Sequence, residues 1–235
     1  MATERRRKTQ SGQEIVEFAL VACLLVPMFL GTFVVGMNLI RSIQTNQVCR
    51  DLTDMYIHGA DFSTYPLQQE AQRLAQGLNL QVGGGFSGNN NANTGNSGRG
   101  LVTVSRVMYV GSTSSPSCVA VGAGNCTNHD SFVYVQQIQF GNGTLANANT
   151  VTLGTPTGAN VNSSGNVANP VTDSHAQLSG AAQSAMASLW GANAATGQQA
   201  LTDGQVTYVV ETYFQSPDLN VSSLSGNGVY ARYFF

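Results

Sequence analysis

Apolar and polar positions change rhythm along this chain. Phe18 to Met37 is an apolar run of twenty residues with no charged side chain. At about 1.5 Å per helical residue it spans a hydrocarbon layer of ~30 Å. Past Ile40 the apolar residues thin to helical spacing, as Ile43, Val48, Leu52 and Met55, with no breaker before Gly59. The pattern predicts one helix from Gln13 to Ile57, about 68 Å long. Pro27 lacks the N–H that would reach back to Cys23, which predicts a kink or a melted turn there. A second helix is predicted from Ser63-Thr64 as cap and Pro66 in the first turn, with Leu67, Ala71, Leu74, Ala75 and Leu78 on one face. Residues 83–100, rich in Gly, Asn and Ser, read as a flexible loop; neither a strand–glycine–helix context nor a Gly-Lys-Ser ending makes them a phosphate cradle. The period then drops to two: Leu101–Val110, Ser131–Phe140, Gln205–Phe214 and Val229–Phe235 predict strands, with Thr150–Leu153 as a short extra one. Between the second and third main strands lie a polar loop, 141–172, and a helix near Ala176–Trp190 carrying Leu178, Ala182, Met186 and Leu189 on one face. The fold class expected is α+β, a long N-terminal helix packed on a mainly antiparallel sheet of four to five strands.

Composition places most of the chain outside the cytosol. Its 235 residues suffice for one membrane helix plus one domain with a real core. Charged residues make up 9%, against roughly 25% in an average soluble protein, and Ser131 to Thr172 carries none. Asn, Gly, Thr and Ser hydrate that stretch instead, a composition rare in cytosolic enzymes. The formal net charge of −2 implies no nucleic-acid partner.

Several readings compete for the N-terminal segment. A secretory signal peptide carries an apolar core of about 7–15 residues and a small-x-small cleavage site; here the core is longer, and Asn38-Leu39-Ile40-Arg41 follows it. A twin-arginine signal would place apolar residues directly after Arg5–Arg7, and this chain does not. A plain anchor explains length and flanking charge but leaves Gly12 and Glu17 unexplained. A carboxylate within a membrane segment costs on the order of 2.5–3.5 kcal/mol at mid-bilayer and less at the interface.

Gly12-Gln13-Glu14-Ile15-Val16-Glu17-Phe18 resembles the prepilin cleavage motif of type IV pilins: a glycine before the scissile bond, glutamate fifth in the mature chain, an aromatic sixth. The Glu17-Phe18-Ala19-Leu20-Val21 run, with Pro27 further on, looks more narrowly like the TadE-like (TadE/TadF) pseudopilins of the tight-adherence (Tad/Flp) pilus system. The resemblance is specific from Gly12 to about Ile57. It implies a basic leader over 1–12, an N-terminal helix over 13–58 with its membrane part at about 18–40, and an α+β head over 59–235 in a pilin-like architecture. It implies a non-enzymatic minor pilin or pseudopilin, cleaved by a prepilin peptidase between Gly12 and Gln13, with Glu17 and Phe18 as recognition and assembly residues. The implied partners are that peptidase, other pilin and pseudopilin subunits, an inner-membrane assembly platform and the lipid bilayer; the implied role is pilus biogenesis and surface adhesion, without cofactor or metal. The freed Gln13 amine would pair with Glu17, of a neighbouring subunit or of the same chain at i,i+4. The alternative is an unprocessed single-pass anchor bearing a periplasmic binding or adhesin domain.

Orientation follows from charge. Arg5, Arg6, Arg7 and Lys8 precede the span, whereas Arg41 and Arg50 after it are offset by Asp51 and Asp54. The basic side stays cytoplasmic, which places the head in the periplasm or on the cell surface. In that oxidising compartment Cys118 and Cys126, eight apart, favour a disulfide closing a short loop over two free thiols. Cys23 reads as a small apolar helix residue and Cys49 has no evident local partner. Asn128-His129-Asp130 and Asp173-Ser174-His175 put carboxylates beside histidines, but side chains adjacent in an extended strand diverge, so turns are expected there rather than a triad, with calcium held by loop oxygens as the alternative. The Asn-x-Ser/Thr triplets at Asn125, Asn142, Asn162 and Asn220 are expected by chance in so polar a chain.

Overall fold

A computed structural model describes residues 3–83, 92–95, 97–147, 153–190, 201–215 and 228–235. The chain divides into two compact units, 1–42 and 43–235. The first is helix alone, the N-terminal part of α1 (Thr3–Ile57), which continues into the second unit without interruption. The helical assignment runs through Pro27, so no turn is melted there. The expected start at Gln13 is also corrected: the basic segment before it is helical from Thr3.

The second unit is α+β. Its sheet has the order β1-β3-β2-β4-β5, built from β1 (Ala92–Gly95), β2 (Gly100–Val110), β3 (Ser131–Asn142), β4 (Val206–Gln215) and β5 (Gly228–Phe234). The four longer strands pair antiparallel and β1 lies parallel to β3. β1 falls within 83–100, so that segment is not loop throughout; residues 84–91 and 96 lie outside the described residues. The short strand expected at Thr150–Leu153 also lies outside them, except for Leu153, which is buried without strand structure.

Both sheet faces are covered. On one, Val48, Cys49, Leu52 and Tyr56 of α1 meet Val102, Val104, Ile138, Phe140 and Val210, all 6% exposed or less. Burial of each large apolar side chain here contributes about 1.5–3 kcal/mol. α2 (Tyr65–Leu74) closes this layer, with Ala71 and Gln68 inward. Leu74, expected on the inner face, is 47% exposed; the Gln68 amide takes an inner place because it donates to the Phe62 carbonyl at 2.7 Å. Thr64 caps α2 by position without a side-chain bond to it. Its hydroxyl donates to the Asp61 carbonyl. On the opposite face Val107, Phe132, Tyr134 and Val209 pack with Leu178, Ala182 and Met186. The last two belong to α4 (Gly180–Trp190), which starts after a 3-10 turn at Ser174–Ala176, and Leu189 faces outward.

Of the polar loop expected at 141–172, the described residues around Gly165 and Val167, with Leu178 beyond it, are tied to β3. The Val167 amide donates to the Val135 carbonyl at 2.9 Å, the Gln137 amide to Gly165 at 2.9 Å and the Leu178 amide to Phe132 at 3.1 Å. These bonds continue along β3 where β1 no longer pairs with it, and an edge so occupied is closed to pairing with another chain. At the other end of β3 the backbones crowd: a Cβ on Gly141 (φ +112°) would lie 2.3 Å from the Gly100 carbonyl oxygen, so glycine is required there.

Candidate functional site

The residues of the cleavage-like motif all lie on α1. Gly12, Gln13, Glu17 and Phe18 are exposed, Phe18 to 75%. From Ile15 to Ile40 the large apolar side chains Val16, Leu20, Leu24, Leu25, Phe29 and Val35 are 59–70% exposed, whereas on the same helix Val48 and Leu52 are 6% and 0% exposed. α1 is one helix long and apolar enough to cross a membrane by length and composition, with a peak mean hydropathy of 2.5. A surface this apolar needs either lipid or other apolar helices around it.

Gly12 has no architectural reason to be glycine. Its backbone is helical, it is not among the residues of positive φ, and a Cβ added to it would meet nothing within 4 Å. A mid-helix glycine costs about 0.5–1 kcal/mol relative to alanine, so the fold alone would favour another residue. Entry of Gly12 into a protease cleft as extended chain would require this part of α1 to unwind. Glu17 lies one turn beyond Gln13, at i,i+4 on the same helix face.

The head carries two staples. The first is the expected disulfide, Cys118–Cys126. It closes a segment that sequence periodicity did not reveal as helical: α3 (Pro116–Val121) followed by a 3-10 turn, Ala123–Asn125. Replacing both cysteines by serine is expected to lower stability by about 2–3 kcal/mol, the loop-closure entropy of so short a ring. Urea unfolding of the detergent-solubilised chain measures this, and an unchanged midpoint would contradict it. The second staple, Asp203, has no motif around it. Its Oδ1 accepts from the Gly111 amide at 2.7 Å and its Oδ2 from the Ser117 amide at 2.8 Å, tying the entry of β4 to the residue after β2 and to the first turn of α3. Partial burial pushes its carboxyl up, but the amides of Gly111 and Ser117 and the hydroxyls of Ser117 and Ser115 outweigh it and hold it below the ordinary aspartate range.

A pH dependence follows. The folded state binds the Asp203 proton less readily than the unfolded chain, whose value is about 3.9. The stabilisation is therefore present above about pH 4 and is lost as the pH falls through the lower folded value. In Asp203→Asn the amide NH₂ must replace an acceptor facing an N–H, with an expected cost of about 1–3 kcal/mol near neutrality. Thermal unfolding against pH should show the gap between variant and wild type narrowing on acidification; a constant gap would contradict this account.

The two histidine–carboxylate sets lie in turns, as expected, and within each turn the side chains meet. His129 Nδ1 lies 3.2 Å from Asp130 Oδ2, and His175 Nδ1 lies 3.2 Å from Asp173 Oδ1. Asp173 is also engaged by backbone, accepting from the amides of His175 at 2.9 Å and Asn160 at 3.3 Å. Burial raises its carboxyl, and these amides with the His175 ring more than offset that, so it lies below its ordinary range. Asn128 joins the two turns, its side-chain amide donating to the carbonyls of Pro170 at 2.8 Å and Asp173 at 2.6 Å. Among the described residues, no three His, Cys, Asp or Glu gather as a metal site.

Cys49, without a local partner in sequence, is fully buried and its thiol donates to the Val210 carbonyl at 3.3 Å. Burial pushes it up to about 11, with the nearby Glu211 charge a lesser cause and a Thr212 hydrogen bond opposing, so it stays a neutral packing group. Glu211, one of an alternating strand set, is a carboxylate only 2% exposed. It accepts from the Tyr230 hydroxyl at 2.5 Å and faces Arg232 at 3.9 Å. Cross-strand pairing with Arg232 is what makes it tolerable there, and no local sequence pattern announces it. No family model, curated protein or solved structure matches this chain.

Proposed function

We propose that this chain is a pilin-like structural subunit, a minor pilin or pseudopilin of the tight-adherence type, rather than an enzyme. It is inserted with its basic end in the cytoplasm, cleaved after Gly12 by a prepilin peptidase, and assembled through its apolar helix with the head in the periplasm or on the surface. The observation that carries the reading is Gly12: a glycine the helix does not need, five residues before a carboxylate at the threshold of an exposed apolar helix. A peptidase that excludes side chains at the scissile position explains the first, and charge pairing between subunits explains the second. Intact mass of the membrane-extracted protein tests this: a processed subunit lacks residues 1–12.

One observation favours a second reading, an unprocessed anchor bearing a binding or adhesin domain. The backbone at Gly12 is helical, and a peptidase works on extended chain. Under that reading the extracted protein retains residues 1–12.

A further inference from the structure

Cleavage after Gly12 would make Gln13 the first residue of α1, and this inference rests on that cleavage. Gln13 is exposed, so its side chain has room to fold back on its own backbone nitrogen. We propose that Gln13 is a self-modification site. The freed α-amino nitrogen attacks the side-chain carboxamide carbon of the same residue and forms a new N–C bond, giving a pyroglutamyl lactam. The bond from that carbon to the side-chain nitrogen breaks, and ammonia leaves carrying a proton surrendered by the attacking amine. The step is redox-neutral and needs no co-reactant.

The helix accommodates the product. The first N–H groups of a helix have no intrahelical partner, so closing the ring through that nitrogen costs no helical hydrogen bond. The lactam carries its backbone nitrogen in a five-membered ring as proline does, and proline is well tolerated at the first helical position. Other glutamines in the chain have their backbone nitrogen locked in a peptide bond, where it is not nucleophilic.

Cyclisation also abolishes the positive charge that Glu17 would pair with. The two events compete for one atom: an amine held beside a carboxylate in an apolar layer stays protonated and has no lone pair for attack. An amine that leaves the carboxylate, its own Glu17 or a neighbour's, drifts to a neutral end group and leaves that Glu17 uncompensated, so the lifetime of the free amine limits the time for charge-paired assembly.

Lys8 is the only lysine in the chain, so after loss of residues 1–12 the Gln13 nitrogen is the sole primary amine. The full chain is extracted from membranes, incubated, and read by intact mass and by reaction with an amine-directed ester. Processed wild type should become lighter by one ammonia and refuse the reagent. Gln13→Asn, whose shorter arm would close only a strained smaller ring, should keep its linear mass and take one label. Glu17→Gln should cyclise severalfold faster than wild type. A cleaved wild-type chain that keeps the linear mass and one reactive amine overturns the lactam and leaves cleavage standing. Retention of residues 1–12 overturns cleavage, and the lactam with it. Equal rates for Glu17→Gln and wild type overturn the protective role of the carboxylate.

Discussion

Gly12→Val is expected to leave the chain at full length, with residues 1–12 still attached, in cells where wild type is trimmed. The fold offers no steric resistance to the substitution, since a Cβ at Gly12 meets nothing within 4 Å; a large effect must arise in the protease complex. There a β-branched side chain both stiffens χ1 and fills space next to the scissile bond. Overpacking a close-fitting site costs about 1–3 kcal/mol, and each 1.36 kcal/mol on a barrier is about tenfold in rate, so cleavage should fall by roughly tenfold or more. Gly12→Ala should slow it mildly: its methyl is small, yet it steadies the helix by about 0.5–1 kcal/mol against the unwinding that cleavage needs. Intact mass and circular dichroism of the same preparations separate processing from folding. If Gly12→Val shows the same loss of residues as wild type, the glycine has no role in recognition.

The second large effect is expected from Glu17→Ala. Removing a carboxylate from the margin of the apolar run lowers the cost of membrane residence, by an amount below the roughly 2.5–3.5 kcal/mol of a mid-bilayer charge. Insertion and trimming should therefore proceed almost as in wild type. Assembly should not, because the Gln13 amine then has no opposite charge where attraction is strong and water is scarce. Glu17→Asp should fall between, keeping the charge on a shorter arm. Co-purification with partner pilins measures the outcome; recovery of Glu17→Ala complexes at wild-type levels would remove the pairing role and favour the simple anchor.

What was legible from the residues was whatever rests on local periodicity. The long apolar helix, the four main strands to within about two residues and the position of α4 follow from spacings of 3.6 and 2. The disulfide followed from two cysteines close together in a chain that composition placed outside the cytosol. Gly12 and Glu17 stood out because each breaks the pattern around it, and Phe18 by its place after them in the motif.

The remaining features were settled by contacts between residues far apart in sequence. β1 is a strand because β3 offers it a free edge, although Ala92-Asn93-Thr94-Gly95 has no strand propensity to speak of. The polar segment after β3 is tied to that strand by the Val167 amide, which donates to Val135, and by the Gly165 carbonyl, which accepts from Gln137, a pairing that Asn, Gly and Ser composition hides. Gln68 turns inward and Leu74 outward because a buried carbonyl at Phe62 needed a donor. Asp203 and Glu211 look like ordinary charged residues until the fold places two amides before one and an arginine across the strand from the other. Sequence by itself thus determined those elements whose apolar spacing is encoded locally; tertiary structure decided β1 and which polar groups are buried, because a partner for each exists only once distant segments have met.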